Sequence, residues 1–149
     1  MSVLFRPFWA IFVFMKQNFE NIREIAQQVA ERNNLFVIDL IIRGSETNRV
    51  IEVFIDGEKN ISAEDCALVS REITKQIDEN DLLKSYRLDV SSPGVERPLI
   101  YLKQFSKHIN RIFEVEFNIN DSSSKFKGKL ISIEDELLTF QANKEIKIK

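Results

Sequence analysis

Hydrophobic positions along the chain follow two periods, and the change from one to the other divides it. From Asn18 to Asn33, Phe19, Ile22, Ile25, Ala26, Val29 and Ala30 recur at helical spacing, with Glu20, Arg23, Glu24, Glu31 and Arg32 between them. This pattern predicts an amphipathic helix, which Asn33-Asn34 can end. Leu35 to Arg43 is rich in branched aliphatics and predicts a largely buried strand whose core is interrupted by Asp39. A turn over Gly44–Asn48 leads into a second strand, Arg49–Asp56, paired with the first as a hairpin and broken by Asp56-Gly57. Ser62 has the character of an N-cap, with Asp65 three residues on completing a capping box. The helix that follows places Cys66, Val69, Ile73 and Ile77 on one face. Tyr86 to Ser91 supplies a third strand, with Leu88 and Val90 on one side. The order is α-β-β-α-β, which predicts two helices on one face of a three-stranded sheet.

Beyond residue 100 the pattern changes. Tyr101–Asn110 predicts a short helix with Leu102, Phe105 and Ile109 inward. From Ile112 the period is two: Phe113, Val115 and Phe117 alternate with Glu114, Glu116 and Asn118. Lys125–Ile133 alternates Phe126 and Leu130 with lysines and contains Gly128, which suits a bend or bulge. Leu137–Gln141 and Glu145–Ile148 follow as short strands. The fold class is therefore α+β, with the N-terminal α-β-β-α-β domain followed by a small SH3-like or Sm-like barrel. The expected divisions are an extension over residues 1–14, a first domain over 15–91, a connector over 92–100 and the barrel over 101–149. Counted from Leu99 the second part has 51 residues, so its core is thin and is expected to depend on packing against the first. It is expected to be shortened, without a final barrel strand.

The connector is unusually stiff. Ser91-Ser92-Pro93-Gly94-Val95-Glu96-Arg97-Pro98-Leu99 holds two of the three prolines and one of the four glycines. Pro93 suits the second position of a type II turn and Gly94, with positive φ, the third. Ser92 and Arg97 each precede a proline and are biased toward extended backbone. Asp89, Ser91, Ser92, Pro93, Gly94, Arg97, Pro98 and Leu99 are the candidate partner-binding or interdomain residues. Ser91 and Ser92 would cap the turn, and Arg97 would pair with Asp89 or Glu96 or present its fork to a carboxylate or phosphate.

Residues 1–14 stand apart, with four of the twelve phenylalanines and the single tryptophan. Phe8 to Met15 contains no polar residue, yet is too short to span a bilayer, which takes about 20 apolar residues. It lacks the basic start and small-residue cleavage site of a signal peptide. The expectation is that Met15 is the native initiator. The alternative is a membrane-surface anchor.

Charge narrows the partner. The chain carries a formal charge of -2, but residues 1–100 hold 12 basic and 16 acidic side chains, and residues 101–149 hold 9 and 7. A protein that grips RNA mainly through phosphates would show a basic stripe. A basic protein, or protein and RNA together, fits better than naked nucleic acid. The densest basic cluster, Lys125, Lys127 and Lys129, alternates along one strand and so shares one side, making it a candidate phosphate-contacting face or else a solvated edge that resists aggregation.

Little else points to chemistry. Cys66 is the only cysteine, which excludes an internal disulfide and a cysteine-based zinc site and fits a reducing compartment. His108, the only histidine, has no triad around it and is expected to be a solvated or helix-end residue. Gly44, Gly57, Gly94 and Gly128 are too widely spaced for a P-loop, a dinucleotide fingerprint or the Gly-x-x-Gly loop of a KH module. Glu64-Asp65 and Glu134-Asp135-Glu136 fall where a helix start and a turn explain them. The residues point away from an enzyme, and no cofactor or metal is called for.

Asp89-Val90-Ser91-Ser92-Pro93-Gly94 with Arg97-Pro98-Leu99, Asp65-Cys66 at a helix start, Ser70-Arg71 within it and Phe126-Lys127-Gly128 make the chain resemble the RimP family of bacterial ribosome maturation factors from about Met15 onward. The family places a glycine where this chain has Asn110, a residue that tolerates left-handed backbone. The resemblance implies a non-enzymatic, cytoplasmic factor, monomeric and without stable membrane association. Such a factor binds the immature small ribosomal subunit, ribosomal protein and rRNA together, and takes no small-molecule substrate. The rival readings are a free RNA chaperone with a KH-like domain and a membrane-associated, peptide-binding regulator.

Overall fold

A computed structural model describes residues 8–94 and 97–149, with side chains from residue 13 onward. Expectations for residues 1–7 and for Val95 and Glu96 lie outside the described residues. The chain divides into two compact units, one ending at Arg97 and the other running Pro98–Lys149.

In the first unit the order is α1 (Phe8–Arg32), β1 (Phe36–Ser45), β2 (Asn48–Asp56), α2 (Ala63–Glu79) and β3 (Tyr86–Ser91). Helix α1 begins ten residues upstream of the amphipathic stretch, because the apolar run from Phe8 contains neither glycine nor proline to stop it. β1 and β2 form an antiparallel hairpin, and β3 joins β2 in parallel, giving the order β1-β2-β3. Both helices cover one face of the sheet. Ile22, Ala26, Val29 and Ala30 of α1 meet Val69, Ile73 and Ile77 of α2 over Leu40, Ile51, Val53 and Ile55. Each helix ends in a Schellman turn whose left-handed residue is not glycine. Asn34 (φ 57°) allows Leu35 N–H to reach Ala30 O at 2.9 Å, and Asp81 (φ 47°) allows Leu82 N–H to reach Ile77 O at 3.1 Å.

The hairpin turn shows where a glycine is required. Gly44 has φ 90°, and a Cβ there would overlap the Asn48 carbonyl. Its own carbonyl accepts a 2.6 Å bond from the buried Arg49 guanidinium, which lies 5.1 Å from the Phe19 ring centre.

The second unit is a curled antiparallel meander of β4 (Ile112–Ile119), β5 (Ser122–Glu134), β6 (Leu137–Gln141) and β7 (Glu145–Ile148), with β4 and β7 at its edges. Its core is a chain of rings, Phe105–Phe113–Phe140–Phe126–Phe117, with neighbouring centres 5.7–6.1 Å apart, closed over buried Leu130. Gly128 does not make a bulge. The register shift lies two residues later, between Leu130 and Ser132. Gly128 is instead a packing requirement: a Cβ there would sit 2.9 Å from the Phe126 ring and 3.2 Å from the Phe140 Cβ.

The predicted helix over Tyr101–Asn110 is two short 3₁₀ turns, Leu102–Gln104 and Ser106–His108. At three residues per turn, Leu102, Phe105 and His108 share a face, whereas an α-helix would align Leu102, Phe105 and Ile109. His108 therefore packs edge-on against Phe113 at 6.1 Å rather than standing in solvent, and Ile109 is 42% exposed rather than inward. Asn110 takes φ 71°, the left-handed conformation expected of it, and donates to Leu130 O at 2.7 Å.

Replacing Asn110 by glycine is expected to be nearly neutral, while valine there should cost about 1–2 kcal/mol. Gly128→Ala should cost about 1–3 kcal/mol through overpacking against Phe126 and Phe140. Calorimetric unfolding of each variant checks this ordering.

Candidate functional site

The site is a groove between the N-terminal half of α2 and the last residues of β3. Ser62 starts α2 with both halves of a capping box: its hydroxyl accepts from Asp65 N–H at 3.1 Å, and Asp65 Oδ2 accepts from Ser62 N–H at 2.8 Å. The bonds from the Ser62 backbone and hydroxyl hold the Asp65 carboxyl below the ordinary carboxylate range. At the other end of the helix, Tyr86 ties α2 to the start of β3, its hydroxyl donating to Asp78 Oδ1 at 2.7 Å. Burial, reinforced by the Asp78 carboxylate, pushes the Tyr86 phenol up to about 12.

Helix and strand are thus closed at the Tyr86 end and open toward Ser92. The space between is about 670 Å³, lined by Ile61, Cys66, Ala67, Leu88, Val90 and the serines Ser62, Ser70, Ser91 and Ser92, with Ala63 and Asp89 completing it. Burial pushes the Cys66 thiol up, aided by Asp65, and a bond from the Ser92 backbone partly offsets this.

The connector leaves from this groove. Gly94 is not at a positive φ, and nothing lies within 4 Å of where its Cβ would be. The positive φ that a type II turn with Gly94 third requires is therefore missing, and the Gly94 carbonyl instead accepts from Arg97 N–H at 3.1 Å. Arg97 does not pair with Asp89, and the alternative expected partner, Glu96, lies outside the described residues. The Arg97 guanidinium lies 3.7 Å from the centre of the Phe54 ring and donates to Asp39 Oδ2 at 3.1 Å. Asp39, read from sequence as an interruption in a strand core, is at the register shift of β1, where its other oxygen accepts from Leu40 N–H at 2.8 Å. Asp89 pairs instead with Arg87 at 2.9 Å, and Arg43 with Glu52 at 3.0 Å, which holds the Glu52 carboxyl low. The open sheet face thus carries three ion pairs in a row.

Past Pro98 and Leu99, a fully buried Gln104 accepts from both Ile100 N–H and Tyr101 N–H at 3.0 Å. Gln104 had one signal in the sequence, overlooked above: a polar amide side chain three residues after Tyr101, at the N3 position of the turn that Tyr101 begins.

Residues 25–96 match the family model described as the RimP N-terminal domain. That span runs from the middle of α1 through β3, and it contains every residue lining the groove. The first unit carries a RimP N-terminal domain. RimP proteins are ribosome maturation factors and assemble without catalysing a reaction. Within this RimP domain the fold gathers Cys66, Ser70 and Asp89–Ser92, from three stretches that are separate in sequence, around one groove. The lysines of the second unit are elsewhere. Lys125, Lys127 and Lys129 are all exposed on β5, and they face Glu116, Glu114 and Ile112 of β4 in register. Lys125 is paired with Glu116 at 3.3 Å, while Lys127 and Lys129 show no ion pair among the described residues. No described helix is long and apolar enough to cross a membrane.

Two outcomes follow from this geometry. Tyr86 has a folded pKa raised from 10.0 to about 12, so its contribution is complete below pH 10 and is lost as pH rises through 12. Urea unfolding across that range should show a steeper alkaline loss of stability for the native chain than for Tyr86→Phe. Arg97→Lys keeps the charge but loses the flat stack on Phe54, so it should loosen the connector nearly as much as Arg97→Ala. Limited proteolysis after Ser92 should accelerate several-fold in both, and a native rate in the lysine variant would refute the stacking argument.

Proposed function

We propose that this protein is an assembly factor that binds the immature small ribosomal subunit, helps its proteins and rRNA reach their mature arrangement, and then leaves. It works by binding one arrangement better than another, with no bond made or broken. The observation that carries this reading is the RimP N-terminal domain over residues 25–96. In this reading the protein is cytoplasmic and monomeric and takes no small-molecule substrate or cofactor.

Two surfaces divide the work. Asp89, Ser91, Ser92, Pro93, Gly94, Arg97, Pro98 and Leu99 face a protein of the subunit, supported by the acidic excess of residues 1–100. The lysine row of β5 faces rRNA phosphates, with Lys127 and Lys129 ahead of Lys125, whose charge is already shared with Glu116.

Sedimentation of cell extract through sucrose, followed with an antibody to this chain, tests the reading. Co-migration with free small subunits and not with translating ribosomes is expected. Recovery in a membrane fraction, or only at the top of the gradient, would overturn it. The lysine assignment has its own measure in the salt dependence of subunit binding. Lys127→Gln and Lys129→Gln should each lower the log–log salt slope by about 0.7–0.9, and Lys125→Gln by less. A slope unchanged in all three removes the lysines from the interface.

A further inference from the structure

The sheet of the first unit ends at β3, which pairs with β2 on one side only. Along its other side, beside the groove under α2, backbone N–H and C=O groups alternate without a strand partner among the described residues. An edge of this kind is ordinarily defended by charge or covered by another element. Here the defence is partial. Arg87 and Asp89 neutralise one another on the open sheet face, at 2.9 Å, and the groove side offers Leu88 and Val90 beneath small residues of α2, Ala63, Cys66 and Ala67.

We propose that an extended segment of a basic polypeptide adds to β3 as a fourth strand. Strand addition supplies affinity through main-chain bonds and specificity through alternate side chains. The period of two divides the segment's side chains between the sheet's faces. Those on the helix side enter the groove, where Ala63 and Ala67 leave room and Ser62 and Ser70 supply hydroxyls. Those on the other side lie level with Asp89, where a lysine or arginine competes with Arg87 for the carboxylate. Charge decides the class of occupant. Among the described residues that line the groove none is cationic, the one ionisable residue, Asp89, turns its carboxylate to the open sheet face, and residues 1–100 hold 16 acidic against 12 basic groups. A nucleic-acid strand would bring phosphates to a stretch of chain with an acidic excess, and among the described residues no aromatic ring lines the groove for its bases to stack on. That the segment comes from a small-subunit protein rests on the function proposed above. The strand-addition mode does not.

The test uses the full chain and short overlapping peptides covering the small-subunit proteins of the same cell. Basic peptides from the set should bind and slow amide exchange along Tyr86–Ser91. Ala67→Trp fills the groove from an exposed helix position, so it should leave the melting temperature in place while weakening binding at least roughly tenfold, a change of about 1.4 kcal/mol. Asp89→Asn should weaken cationic peptides selectively. The proposal is overturned if no peptide binds, if bound peptide leaves β3 exchange unchanged, or if a naked RNA oligonucleotide protects those amides instead. Sedimentation separates the two readings. Peptides that protect β3 in a chain that never joins small subunits would refute the assembly reading alone. An Ala67→Trp chain that sediments normally, together with unprotected β3 amides, would refute the groove alone.

Discussion

The parallel pairing of β3 with β2 is the constraint from which the site follows. Parallel neighbours cannot be joined by a tight turn; the chain must travel back along the sheet, and α2 is that return path. Because α2 runs back over the strand it delivers, its capped start lies beside the end of β3, and its last turns lie beside the strand's beginning. Tyr86 fastens the second meeting point through Asp78. The first is left apart by residues too small to fill it, and Ser91-Ser92 emerge there. The groove is thus a by-product of topology, kept open by alanine and serine where larger side chains would have closed it.

The connector shows how modest interactions give direction more than stability. The pairs Arg43–Glu52, Arg87–Asp89 and Arg97–Asp39 are all at least partly exposed, and such pairs contribute at most about 1 kcal/mol each. What they provide is placement. Asp39 is aimed by the bulge in β1 and by Leu40 N–H, so Arg97 has one carboxylate oxygen to meet and one ring to lie on. Gln104 does the corresponding work after Leu99 by holding two successive amides. Local stiffness was visible in the prolines; the anchors were not, because they join residues 58 positions apart in one case and depend on a 3₁₀ turn in the other.

Elements governed by local rules were legible in the sequence. The Ser62–Asp65 box, the strands of both units, the α-β-β-α-β order and the left-handed Asn110 follow from capping, periodicity and side-chain tolerance. Misreadings occurred where two local rules competed. Pro93-Gly94 satisfies the composition of a type II turn, yet the hydrogen bond seen is accepted two residues later, at Gly94 instead of Ser92. Leu102, Phe105 and Ile109 fit an α-helix, yet a tighter turn exchanged Ile109 for His108. Gly128 reads as a kink in any alternating strand, and only the rings of Phe126 and Phe140 above it reveal a need for space. Of the candidate site, Asp89, Ser91 and Ser92 were named from sequence, but the floor that Ala63, Ala67 and Leu88 provide required the crossover to be seen.

The sulfur at the foot of the groove has a chemical corollary. A thiol whose ionisation is suppressed by its surroundings is a poor nucleophile at neutral pH, because the thiolate is the reacting species. With no second cysteine in the chain to resolve it, Cys66 is also a poor starting point for oxidation to an internal crosslink. The thiol in the groove of the first unit is therefore chemically quiet, a packing group and not a reactive one.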